Sequence, residues 1–213
     1  MSTLKRYAFL PYVVIATFHF VVIVLGNDAL VAATKPLLMP ILLLGFLVAA
    51  PVHKNAVVIA GSIGIVFSWA GDVLLQSPED IGFLLGLGAF FFAQISFIVA
   101  FLKAGGKRLS IWAGLFALWG IGLVAVLAPN LGVLLVPVGI YGLVLGAMAT
   151  LSTRLGKVLT WGGVLFLASD TMLALDRFLP GFTLPWADEL IMSTYMVAEG
   201  LIAYGLVQIL RKK

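Results

Sequence analysis

Two carboxylates stand where a membrane-spanning helix would not ordinarily carry them: Asp72 in "SWAGDVLLQ" and Asp170 in "FLASDTMLALD", each late in a long apolar run. A charge at the centre of a span costs about 2.5 to 3.5 kcal/mol on insertion scales, so each needs a partner, a wet cavity or a neutral protonation state. Both runs are read below as crossing in the same direction. From the 1.5 Å rise, Asp72 then lies roughly one turn, and Asp170 roughly two turns, inside the same face of the membrane. Asp72 falls in the last turn, where the helix dipole disfavours an anion, so capping does not explain it. Two acids in one low-dielectric pocket can divide their protonation states, one carboxyl keeping its proton while the other is ionised. That arrangement suits general acid and base chemistry. The structural alternative is an interhelical hydrogen-bonded pair or a salt bridge to Lys35.

A few other polar residues fall at membrane depth. Lys35 precedes Pro36 near the predicted start of the second span, with Thr34 as its expected N-cap. There it can pair with Asp72 or Asp170, or combine with free helix N–H groups to hold a phosphate. Gln94 and Glu199 sit near the midpoints of the fourth and eighth spans, and an amide such as Gln94 is equally a common interhelical hydrogen-bond partner. His19 reads as packing. Neither His19 nor His53 is placed to activate a serine, and the chain has no cysteine. No cofactor or metal is therefore expected.

The elements that must position these groups follow from composition. Hydrophobic residues make up 62% and charged residues 10% of 213, and mean hydropathy is +1.17, values that exclude a soluble domain with an ordinary polar surface. A crossing helix needs about 20 apolar residues. Eight such runs are predicted, near 7 to 25, 35 to 51, 55 to 75, 81 to 103, 109 to 128, 131 to 151, 157 to 176 and 187 to 210. The first is longer than a signal-peptide core of about 7 to 15 residues, so it is expected to be retained. No linker separates two domains. The fold class is all-α, a single eight-helix transmembrane domain over residues 1 to 213, in a cell membrane such as a bacterial inner membrane. Every basic residue except Lys35 and Arg177 then falls on one side, which predicts that both termini are cytoplasmic. The net charge of +4 is a topology signal and implies no nucleic acid. Gly82 to Gly86 and Gly142 to Gly146 have the spacing of close helix packing.

"TKPLLMP" at 34 to 40, "WAGDVLL" at 69 to 75, "GGVLFLASDTMLA" at 162 to 174 and "YMVAEGLIAYG" at 195 to 205 together resemble the YhhN-like membrane proteins, which include the lysoplasmalogenases. The resemblance covers nearly the whole chain. That family often carries His-x-x-Tyr in the fourth span, where this chain has Gln94 and Phe97, and often a glutamine where this chain has Glu199. The resemblance implies a lysophospholipid partner of the lysoplasmalogen class within the bilayer, and hydrolysis of its vinyl ether to a fatty aldehyde and a glycerophospho-alcohol. Asp72 and Asp170 are assigned as the catalytic pair, and Lys35, Gln94, Tyr195 and Glu199 as substrate-binding residues. Protonation of a vinyl ether gives an oxocarbenium ion, like the transition state that paired carboxyls serve in glycosidases. Asp170 is assigned as acid and Asp72 as base, with the reverse assignment open. A proton-coupled transporter using the same acids and a non-catalytic lipid-binding scaffold are the rival classes.

Overall fold

The computed structural model describes residues 3–77, 79–109 and 113–212. Pro78 of the "SPED" loop, residues 110–112 at the start of the fifth predicted span, and Lys213 lie outside the described residues. The described residues form helices α1 (Thr3–Arg6), α2 (Leu10–Val24), α3 (Asp28–Ala49), α4 (Ala56–Leu74), α5 (Asp80–Ala104), α6 (Ala113–Leu131), α7 (Leu135–Ser152), α8 (Lys157–Phe178) and α9 (Ala187–Arg211), with short 3₁₀ turns after α6 and α7. There is no strand among them. Among the described residues, six stretches are long and apolar enough to cross a membrane: α3, α4, α5, α8, α9 and a continuous stretch from Gly114 to Leu155.

That last stretch folds back on itself. Gly120 packs near the Gly142 carbonyl and Gly146 near that of Phe116, so α6 and α7 run antiparallel about a turn at Gly132, whose φ of +50° suits glycine. Helix α2 is apolar but has only 15 residues, with Pro11 at its start and the Gly26–Asn27 turn after it, and is shorter than those six stretches.

The second predicted span is corrected at its start. It begins at Asp28, seven residues before Lys35, because the Asn27 side chain caps it by accepting from Leu30 N at 3.1 Å. Thr34 is thus no cap, and Lys35 is not at a helix N-terminus. Pro36 and Pro40 are carried inside the helix. Pro40 has no N–H for the Pro36 carbonyl, and the Trp69 indole donates to that carbonyl at 3.0 Å instead, tying α3 to α4.

Helix α9 is the central element, packed on α2, α3, α4, α5 and α8. It is antiparallel to α4, since Tyr195 meets Asp72 and Glu199 meets Ser68. It is also antiparallel to α8, since the Ser169 hydroxyl donates to the Ile191 carbonyl at 3.0 Å while Gly162 lies against Ala198 and Ile202. Helices α4 and α8 are therefore parallel, as the reading of the two aspartates required. Small residues allow these approaches: a Cβ on Gly71 would stand 2.6 Å from the Phe90 ring, and one on Gly64 2.5 Å from Phe97. Gly82 and Gly86 likewise seat the start of α5 against Ser77 and Leu75 at the end of α4. At one end of the bundle Arg211 donates to the Ala49 carbonyl at 3.0 Å and to that of Lys5 at 3.4 Å, so the two ends of the described chain lie together.

Candidate functional site

Asp72 lies in the last turn of α4 and Asp170 two turns from the end of α8, both toward the end of the bundle away from Arg211. The Tyr195 hydroxyl of α9 donates to Asp72 Oδ2 at 2.9 Å, and the Tyr141 hydroxyl of α7 donates to Asp170 Oδ2. Each carboxyl thus has one oxygen held by a phenol. Tyr195 is locked in turn by edge-on contacts with Phe90 and Phe166, ring centroids 5.8 and 5.6 Å away. Gly71, beside Asp72, leaves the space that the Phe90 ring occupies.

Asp72, Asp170, Tyr141, Tyr195 and Lys35 line one cavity of about 280 Å³. Its wall is mostly apolar, with Phe90, Leu127 and Leu145 among the lining side chains, and it reaches exposed Ser77, Arg177 and Asp188 at the end of the bundle. Arg177 stacks over the Phe83 ring with its guanidinium 4.1 Å from the centroid. Asp72 is only 2% exposed. Lys35 reaches this cavity from within α3.

The residues singled out from sequence separate into two layers. Asp72, Asp170, Lys35 and Tyr195 are brought together on the cavity wall; Gln94 and Glu199 are not among the lining residues. Both are 0% exposed and lie deeper in the bundle. Glu199 accepts from the Ser68 hydroxyl at 2.5 Å. Gln94 neighbours the Tyr141 hydroxyl, yet neither of its amide atoms has a partner in hydrogen-bonding geometry. His19 is buried, with Nδ1 2.7 Å from Thr34 Oγ1, consistent with packing. Trp69 does not line the cavity, its indole being engaged with Pro36. Sequence reasoning missed Tyr141 and Ser68. Tyr141 was signalled only weakly, as the one residue able to donate a side-chain hydrogen bond in the apolar "VPVGIYGLVLG".

An all-helical, multi-pass membrane protein with paired carboxyls in an apolar cavity is the class that fold and site define. The chain belongs to the YhhN family, which it matches over residues 30–206. It is 35% identical over 179 residues, 78% of this chain and 70% of the relative, to lysoplasmalogenase TMEM86A of Bos taurus, with the same figures for the Homo sapiens protein. A lysoplasmalogenase of Mycobacterium bovis is 33% identical over 183 residues, 78% of this chain and 67% of that one. No solved structure matches the chain.

Proposed function

We propose that the protein is an integral-membrane hydrolase cleaving the vinyl ether bond of lysoplasmalogens, with Asp170 as general acid and Asp72 as general base. The observation that carries the catalytic assignment is the shared apolar cavity, in which two carboxyls on parallel helices each keep one oxygen on a tyrosine and one oxygen for chemistry. The substrate class comes from the lysoplasmalogenase relatives.

The chemistry balances over two steps. Asp170 gives its proton to the β-carbon of the vinyl ether, and the resulting oxocarbenium ion is attacked at the α-carbon by a water that Asp72 deprotonates. Asp170, now a carboxylate, then takes the hydroxyl proton of the hemiacetal while Asp72 returns its proton to the glycerol oxygen. The C–O bond breaks, aldehyde and alcohol leave, and both carboxyls regain their starting states. Lys35 shares the cavity wall, and a cation there would favour the ionised state of a neighbouring carboxyl, the role given to Asp72. Because Lys35 is not at a helix N-terminus, its contribution to holding a phosphate rests on its side chain, with Arg177 at the rim.

Eight crossings with both termini cytoplasmic remain the topology of this reading. Support comes from the antiparallel α6–α7 hairpin, the meeting of the chain's two ends at Arg211 and the one-sided distribution of basic residues. A cysteine placed at Ser77 should then be labelled only from the non-cytoplasmic side; labelling solely from the cytoplasm overturns the orientation.

The activity is tested with purified protein in detergent or liposomes, supplied with a vinyl ether lysolipid and its acyl ester counterpart. Fatty aldehyde should appear from the first and no fatty acid from the second. Solute uptake without bond cleavage would instead support a carrier.

A further inference from the structure

The cavity has two unlike sides. Lys35, Asp72, Asp170 and Tyr195 reach it from α3, α4, α8 and α9, whereas the described residues of α5 and α6 that line it are all apolar or aromatic, Leu87, Trp119 and Leu123 among them. A wall without acids or amides leaves the polar groups of an ion or a sugar unpaired, but it suits a molecule that is polar on one side and hydrocarbon on the other.

The cavity is also short. On α8 its lining runs from Ser169 to Arg177 at the rim, about 12 Å at the helical rise. Asp170 therefore stands at the inner end. Beyond it Phe166 on α8 and Met148 on α7 are fully buried and do not line the cavity. A headgroup at the rim with its vinyl ether beside Asp170 uses up this length, so a long chain has to turn sideways.

The seam between α5 and α6 is where it can turn. Although α6 follows α5 in the chain, it packs on α7 and more lightly on α8, with no comparable packing on α5 among the described residues. Side chains span the seam instead: Leu87 and Leu123 both pack on the small cluster of Leu127, Leu131 and Val138. One turn further in, Trp119 lines the cavity and is only half-buried. Gly88, beside Leu87, has nothing within 4 Å of where a Cβ would stand. A closure made of side chains can part by rotamer changes, without separating packed helices.

We propose that the α5–α6 seam is the route by which the alkenyl chain of the lysolipid passes between cavity and bilayer, with Trp119 and Leu123 as the residues that admit it. The inference rests on the hydrolase reading above. The protein then takes its substrate sideways from the membrane and grips only the part of the chain next to the vinyl ether, while the far end stays in lipid.

The test compares long-chain, short-chain and pyrene-tipped vinyl ether lysolipids. Wild type should cleave the pyrene-tipped long chain within about three-fold of the plain one, because the tip lies outside the protein. Leu123→Trp, which narrows the seam, should lower the long-to-short ratio of kcat/KM by about ten-fold or more. Trp119→Ala, which widens it, should raise that ratio, and decides the matter if the tryptophan variant does not fold. Rejection of the pyrene tip by wild type, or equal loss on long and short chains, would overturn the route. A saturated ether lysolipid with a mid-chain diazirine reads the route without cleavage: it should label the segments around Leu87 and Trp119 in wild type and several-fold less in Leu123→Trp. Labelling that Leu123→Trp leaves unchanged overturns the route; the expected labelling without vinyl ether cleavage by wild type overturns the hydrolase reading alone.

Discussion

Tyr141 shows how much of the proposed chemistry depends on residues that do not react. Its hydroxyl fixes one Asp170 oxygen across the α7–α8 contact, and the proposed chemistry falls to the other, on a residue that lines the cavity. A hydrogen bond to a charged group contributes about 1.5 to 3 kcal/mol, so if it matters chiefly when Asp170 is a carboxylate, Tyr141→Phe should lower kcat roughly 10- to 100-fold. KM should change little, and steady-state kinetics on the vinyl ether lysolipid separate the two. The aspartates themselves were legible in the sequence because a charge inside an apolar run has to be explained. Tyr141 was not, because a tyrosine in such a run is unexceptional and its contact with a residue 29 positions away depends on the register of two helices. Glu199 was visible as a charge, but its depth beneath the cavity was not, since sequence gives height along a helix and not which way a side chain faces.

At the scale of elements, hydropathy located the helices well because almost every one is apolar along its length. It located their ends less well. Proline at position 36 reads as a first-turn residue, which puts the start of the second span at Lys35, whereas α3 begins at Asp28. Two features outweigh that signal: Asn27 supplies the cap, and Trp69 takes the carbonyl that Pro40 leaves free. Correcting this boundary alters function, for it removes the helix N-terminus as an anion site and leaves Lys35 acting through its side chain alone. The centrality of α9 was likewise hidden, because order along the chain does not state which helices touch. The spacing of Tyr195, Glu199, Gly200 and Gly205 marks it in retrospect: the polar pair meets α4, while Gly200 admits Tyr12 and Gly205 admits Leu159.

Across the whole molecule the polar groups are graded along the bundle. Arg211 gathers the two chain ends at one pole, apolar and small residues fill the middle, and the acidic cavity reaches toward the other pole. On the proposed function, a single-chain lysolipid would keep its headgroup at the interface with its vinyl ether beside the two carboxyls, which would then act as one unit. Asp→Asn preserves size and hydrogen bonding while removing proton exchange, so Asp72→Asn and Asp170→Asn should each remain folded and still bind lysolipid. The most direct measurement is aldehyde release by these two variants and their double mutant, in the same membranes as wild type. Each single variant should lose at least about 10²-fold in turnover, and the double should be little worse than the poorer single. Near-normal turnover by folded Asp72→Asn and Asp170→Asn proteins would contradict the account and return both aspartates to a purely structural role.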